Sequence, residues 1–194
     1  AMSTLDEEDR REYYRIEDRI ALEIQPLTGP AATAEEVLQD ASPLFNLLSE
    51  LHLSEFESQH LLRQISERDR NTAAYLKVLN KRIDLLSQVV ALTVLGQIGE
   101  PQPVILSEGG VDFQHPTPLA PGSHLSIKLV LMPQALGLLM RARVTHCDAT
   151  DGGFDVGTQF QHLSDAQRQL LARYILQRQA QERRLAREHT ESGN

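Results

Sequence analysis

The most constraining feature of this sequence is a stretch of about 40 residues without glycine or proline, which begins near Ser54 and ends just before Gly96. Ser54 is a suitable helix N-cap, and Glu55 and Glu57 place acidic side chains in the first turn, where they complement the helix dipole. The stretch therefore predicts one long helix that runs to about Val94. Because a helix rises ~1.5 Å per residue, this one would extend ~60 Å, farther than a small domain. Much of it must contact another partner.

The apolar residues of this helix recur in alternating steps of three and four, which is the 3.5-residue spacing of a coiled coil sustained over four heptads. The stripe consists of Leu62, Ile65, Asp69, Thr72, Leu76, Leu79, Ile83, Leu86 and Val90. The same spacing also occurs in a helix that lies on the core of its own domain. The length of the helix favours the coiled coil, so we expect the apolar positions of the stripe to hold an oligomer together.

Residues beside and within the stripe predict the number of helices that assemble. Leu61, Tyr75 and Val89 widen the apolar face beyond the two-position seam of a dimer, which favours three or four helices. Asp69 and Thr72 interrupt the seam with a polar layer, which costs stability but fixes the register. A homotetramer is the expected state.

Two shorter elements are predicted before the long helix. Residues 20–24 alternate between apolar and polar side chains, which predicts a strand that stops at Pro26. Thr33 and Glu36 have the spacing of a capping box and predict a helix that reaches about Leu51, with a break near Ser42 and Pro43.

After Gly96 the pattern changes from helix to sheet. Short alternating segments separated by turn residues predict strands within 104–113, 125–131, 140–144 and 154–160. Ser164 then caps a final helix that extends to about Arg187. Several short antiparallel strands at near-regular spacing predict a small barrel or closed sandwich, and the whole chain is expected to be α+β.

Charge and composition exclude several classes of function. The net charge of −8 argues against a nucleic-acid surface, so neither DNA nor RNA is an expected partner. No run approaches the ~20 consecutive apolar residues that span a bilayer, and the chain opens with polar residues, which predicts a cytoplasmic protein without a membrane span. The single cysteine, Cys147, rules out an internal disulfide and fits a reducing compartment.

The sequence gives no support to catalysis or metal binding. The seven histidines never fall at zinc-like spacing and have no cysteine partners, so no metal site is expected. Ser107 lacks the preceding glycine of a nucleophile elbow and has no evident histidine and aspartate companions. We expect no catalytic residues and no enzymatic activity.

Two separated segments carry the most informative polar side chains. Arg10, Arg11 and Arg15 crowd together ahead of the first strand, and residues 106–113 cross a turn between strands. Arg11 and Arg15 are four residues apart and converge on one bound group if that segment is helical or tightly turned. A guanidinium offers a planar fork of donors that matches phosphate oxygens or the edge of guanine. The alternative is a solvated basic segment that is balanced by neighbouring carboxylates.

These segments resemble the two motifs of the PilZ family, R-x-x-x-R ahead of the first strand and D/N-x-S-x-x-G at a strand turn. Arg11 and Arg15 match the first motif, with Arg10 as a common extra arginine, and Ser107 and Gly110 match the second. The closing strand and C-terminal helix also resemble those of the family.

The resemblance implies a small six-stranded antiparallel β-barrel with a C-terminal helix, formed by residues 9–27 and 101–187. The helical segment 33–98 has no place in an ordinary member, and we expect it to be an inserted oligomerisation segment. An insertion with a heptad stripe is similar to that of a divergent PilZ subgroup that assembles into tetramers.

The resemblance also implies a ligand. Members bind cyclic di-GMP through the motif residues, which correspond here to Arg10, Arg11, Arg15, Ser107 and Gly110. No other cofactor is expected. Ile105 departs from the motif because it occupies the Asp/Asn position, where an aliphatic chain accepts no hydrogen bond from guanine. Such a loss would weaken binding roughly 10- to 150-fold.

Two functions are therefore open. The first is a cyclic di-GMP receptor that regulates motility, pili or biofilm through contacts with a downstream protein that the sequence does not identify. The second is a degenerate PilZ scaffold that does not bind the nucleotide and acts as an oligomeric protein-interaction module. The motif residues that are retained outnumber the one that is lost, which favours the receptor.

Overall fold

The computed structural model describes residues 14–36 and 38–193. The described chain alternates between strands and helices. Its elements are β1 (Ile16–Leu27), α1 (Pro30–Thr33), α2 (Pro43–Arg68), α3 (Arg70–Ile98), β2 (Gln102–Leu106), β3 (Val111–His115), β4 (His124–Leu131), β5 (Leu136–Thr150), β6 (Gly153–Gln161) and α4 (Asp165–Glu191).

The six strands are hydrogen-bonded in the order β1-β2-β3-β6-β5-β4 and close into an antiparallel barrel. The predicted α+β class with a six-stranded barrel is thereby confirmed. Contacts divide the chain into two compact units. Among the described residues, the first unit contains 14–19, 103–123 and 142–193, and the second contains 20–102 and 124–141. Strands β1, β2 and β5 each have residues in both units.

In the first unit, residues alternate between buried and more exposed positions along β2 and the start of β3. Val104 pairs with Phe113, which pairs in turn with Val156, and all three are buried. Helix α4 begins at the predicted N-cap, because Ser164 accepts a hydrogen bond from Gln167 N while the Gln167 side chain accepts one from Ser164 N. This reciprocal pair satisfies two amides that the first turn leaves without helical partners.

In the second unit, helices α2 and α3 form an antiparallel hairpin. Phe45 and Leu48 near the start of α2 are buried with Ala91 and Val94 near the end of α3, and Val130 of β4 joins the same cluster. Because opposite ends of the two helices meet, the chain must reverse between them. No helix among the described residues is both long and apolar enough to cross a membrane.

The prediction of a single helix from Ser54 to Val94 is wrong, because the chain breaks at Asp69. Asp69 is extended, with φ −145° and ψ 98°, and its carboxylate accepts hydrogen bonds from Asn71 N and Thr72 N, each at 3.1 Å. The two residues that were predicted as a polar layer of a seam, Asp69 and Thr72, therefore form a helix cap.

The predicted helix starts are also displaced. Thr33 ends the short helix α1 instead of capping a longer one, and Ser54 lies inside α2. Helix α2 begins at Pro43 with Ser42 as its N-cap, because proline is favoured at the first helical position and the Ser42 hydroxyl accepts from Phe45 N. Strand β1 is longer than predicted and passes Pro26 before it ends.

The hairpin divides the predicted stripe unevenly. Leu62, Ile65, Leu76, Leu79 and Val90 are half-buried, whereas Ile83 and Leu86 are 44% and 67% exposed. Helix α3 also presents large apolar side chains to solvent along one side, which we call the outer apolar face. It consists of Tyr75, Val78, Leu85, Leu86, Val89 and Leu92, each more than half exposed.

A largely buried ion pair holds the segment before α2. Lys128 Nζ of β4 lies 2.8 Å from Asp40 Oδ2 and 3.7 Å from Glu23 Oε2, and it also sits 5.1 Å from the centre of the Phe45 ring. Burial raises the pKa of Asp40, but hydrogen bonds from Lys128 and Ser42 N and the lysine charge outweigh it and lower the pKa below its usual 3.8. The ionised carboxylate is thus favoured in the folded state.

We expect Asp40→Asn to destabilise the protein by about 1–3 kcal/mol at neutral pH, because Lys128 loses its closest charged partner. The folded pKa of Asp40 lies below the unfolded value near 3.8, so its contribution is present above that pH and is lost as the pH falls through the folded pKa. Urea unfolding between pH 7 and pH 3 should show that the free energy of unfolding falls less with decreasing pH in the variant than in wild type. The exposed Asp148→Asn is the control, and equal acid slopes for wild type and Asp40→Asn would contradict this role.

Candidate functional site

An open cleft of about 620 Å³ lies on the first unit, along the start of β1, strands β2 and β3, and one side of α4. We call it the acidic cleft. Its charged lining consists of the carboxylates Glu17, Asp18, Asp112 and Asp155 and the guanidinium groups of Arg19 and Arg178. Among the residues that the structure describes, four carboxylates against two guanidinium groups give it an excess of negative charge. Ile105 and Phe113 supply apolar surface between them.

Asp18 joins the acidic cleft to helix α4. Its carboxylate is only 8% exposed, accepts a short hydrogen bond from the Tyr174 hydroxyl and lies 3.0 Å from the Arg178 guanidinium. Burial raises the pKa of Tyr174, and the hydrogen bond and charge of Asp18 raise it further, so the phenol stays protonated as a donor. Arg178 is therefore engaged by Asp18.

Asp112 lines the acidic cleft and lies directly opposite Ile105 in the register of β2 and β3. Burial raises the pKa of the Asp112 carboxyl, the charges of His146 and Arg15 oppose that rise, and Asp155 adds to it. Asp155 in turn lies 3.9 Å from His146 Nε2. Asp112 and Asp155 thus lie in one part of the acidic cleft, where nearby positive charges only partly offset the negative charge of the two carboxylates.

Of the three arginines at the arginine motif, the structure describes Arg15. Arg10 and Arg11 lie outside the described residues, so their placement is not described. Arg15 is exposed just before β1, close enough to Asp112 for its charge to act on that carboxylate. Ile105 is 39% exposed and lines the acidic cleft.

Ser107 and Gly110 come together in the turn between β2 and β3. The Ser107 hydroxyl accepts hydrogen bonds from Gly109 N and Gly110 N, both at 3.2 Å. A Cβ at position 110 would lie 1.9 Å from the Thr158 carbonyl oxygen. Serine and glycine are therefore required here by the turn and by its close approach to β6, irrespective of any ligand.

Sequence reasoning missed the acidic residues of the cleft. Asp112 stands between buried Val111 and Phe113, an alternation that places its carboxylate on the outside of β3. The sequence carries this alternation, but it does not give the register of β2 against β3 that places Asp112 beside Ile105. In the described part of the chain no three histidine, cysteine or carboxylate side chains form a group that could hold a metal.

Comparison with known proteins shows similarity in both sequence and fold. The sequence profile of the PilZ domain matches residues 80–177, which include β2 to β6 but not β1. A pathogenic protein from Xanthomonas campestris, described as a new tetrameric PilZ domain self-assembled via an unusual helical bundle, shares the fold with a TM-score of 0.55. It is 14% identical, and the likeness covers 88% of this chain and 90% of that chain. No curated protein matches this chain.

We expect Gly110→Ala to destabilise the barrel by roughly 1–3 kcal/mol or more, because the added methyl group meets a backbone carbonyl that has little room to move. Gly152→Ala is the matched control, since a Cβ there has no neighbour within 4 Å, and it should change stability by less than about 0.5 kcal/mol. Urea unfolding midpoints decide the matter. Equal midpoints for the two variants would show that the turn does not need glycine.

Proposed function

Because this chain belongs to the PilZ family, we propose that it is a PilZ signalling module that acts as an oligomeric protein-interaction scaffold. The outer apolar face is the observation that carries this proposal. Six large apolar side chains along one side of α3 form an exposed surface of the kind that marks protein interfaces. The assignment of residues 33–98 as an oligomerisation segment stays a prediction.

The partner proposed for this face is the same face of other copies, in a homotetramer. An apolar surface wider than a two-position seam suits a bundle of more than two helices. The Xanthomonas protein of similar fold is described as tetrameric through a helical bundle, which supports the same arrangement here.

The charge of the acidic cleft supports the scaffold over the nucleotide receptor. Each phosphodiester of cyclic di-GMP is negative, and among the described residues the carboxylates of the acidic cleft outnumber its guanidinium groups, an excess that would repel the nucleotide. Ser107 and Gly110 weighed in favour of the receptor when only the sequence was considered. Their roles in the turn between β2 and β3 remove that weight, because both functions require the turn.

We expect wild-type protein to form a tetramer and the double variant Leu86→Asp, Val89→Asp to have a mass at least twofold lower by light scattering after size exclusion. Both side chains are exposed in the single chain, so the charges would disrupt assembly without entering the core of the protomer. Leu185→Asp is the control, because Leu185 is a comparably exposed leucine on α4. A tetramer of unchanged mass in the double variant would exclude this face.

One observation favours the cyclic di-GMP receptor as a second candidate function. Asp112 is the cross-strand partner of Ile105, so a carboxylate stands beside the position that lacks one. Arg15 lies near Asp112, which brings one arginine of the motif to the same place. A guanine edge would then find its acceptor on β3 instead of β2.

Calorimetric titration with cyclic di-GMP separates the two functions. If the scaffold proposal is correct, wild type and a folded Ile105→Asp variant both give no heat of binding. If the receptor is correct, wild type binds, Ile105→Asp binds about tenfold more tightly, and Arg15→Ala binds at least tenfold more weakly. Gly152→Ala serves as the binding control, because it lies outside the acidic cleft. The mass of every variant is measured first, so that only folded oligomers are compared.

A further inference from the structure

We propose that Asp69 is a hinge at which α2 and α3 straighten into one helix, so that two copies of this chain exchange these helices. This inference rests on the proposed self-association and specifies how it is made. In the exchanged state, α2 of one copy packs against α3 of the other.

Five of the seven buried residues of the two helices share one seven-residue repeat across the break. Phe45, His52, Ala73, Ser87 and Val94 are all buried, and they are separated by seven residues or multiples of seven. The residues that fill the intervening positions of the repeat, Gln59, Ser66 and Asn80, are half-buried. A repeat of seven marks one face of a continuous helix. The inner faces of α2 and α3 are therefore the same face of a single straight helix.

The same repeat makes the hairpin symmetrical about its turn. Phe45 packs in one cluster with Val94, and His52 lies close enough to Asp84 for its charge to act there. The Ser42 hydroxyl donates to Gln97 Oε1 at 3.4 Å, where the hairpin opens. Two straightened helices placed antiparallel would repeat each of these pairs between copies. Only a second copy offers this order of partners, through a two-fold contact in which each chain gives and receives the same face.

Asp69 is the single non-helical residue that separates α2 from α3. Asp69 N already bonds to Ile65 O at 2.8 Å, and Ala73 N bonds to Asp69 O at 3.1 Å, both with helical spacing. Rotating one extended residue into the helical region would bring the three intervening amides to their helical acceptors, in exchange for the cap bonds of the Asp69 side chain. No glycine or proline between Leu44 and Leu95 opposes this change.

Spin labels at positions 57 and 82 test the exchange in the full chain, with Cys147→Ser as the background. Both positions are polar, exposed and opposite each other in the hairpin. The hairpin holds the labels well under 20 Å apart, because packed helix axes lie ~10 Å apart. A straight helix separates them by about 37 Å. Doubly labelled chains are refolded with a tenfold excess of unlabelled chains, and singly labelled chains of the two kinds are refolded together.

Exchange predicts that diluted doubly labelled oligomers lose the short distance and show the long one, while the mixed singly labelled chains show a short distance. Arg70→Pro is the matched variant, since proline fits the first turn of α3 and keeps Asp69 extended, and it should restore the short distance within one chain. Oligomers that keep the short distance within one chain would overturn the exchange and leave the proposed assembly intact. A monomeric wild type by light scattering would overturn both.

Discussion

The burial of Phe45 is the contact on which the second unit depends. Its ring is fully buried, it packs with Ala91 and Val94 of α3, and the Lys128 ammonium lies over it. A Cβ at Gly137 would come within 3.2 Å of the ring, so the glycine on β5 leaves the space that the phenyl group fills. One aromatic side chain thus joins the helical hairpin to the strands β4 and β5, and the charged anchor at Lys128 closes over it. The start of α2 and the end of α3 are positioned from this point.

The strands and the last helix were predictable because their signals are local. Alternation along β3 and β6 and the reciprocal cap of Ser164 and Gln167 each depend on residues that are close in sequence. The break at Asp69 was not predictable for a physical reason. A seven-residue repeat that is symmetrical about a turn is equally satisfied by a straight helix and by a hairpin folded back on itself. Aspartate is a good cap but not a helix breaker, so local propensity does not decide between them.

The candidate site shows the converse limit. Ile105 was identified from a motif, and in the structure it lines the acidic cleft. The carboxylates around it come from three strands, and Asp18 and Asp155 are far apart in the chain, so their convergence depends on the closed barrel. Ser107 and Gly110 demonstrate that residues shared with a family motif can serve the backbone of a turn alone. Matching residues therefore establish the shape of a binding loop more securely than its ligand.

Asp18 belongs to two structures at once, because it lines the acidic cleft and holds Tyr174 and Arg178 of α4. Any ligand in the acidic cleft that forms a hydrogen bond or an ion pair with Asp18 competes with α4 for the same carboxylate. Thermodynamic linkage makes this competition reciprocal. The factor by which the ligand lowers the equilibrium constant for attachment of α4 equals the factor by which attached α4 lowers the affinity for the ligand. Helix α4 continues to Glu191, and every residue from 180 to 193 is exposed. A ligand bound in the acidic cleft would therefore change how firmly the base of this long, solvent-exposed helix is attached to the barrel strands.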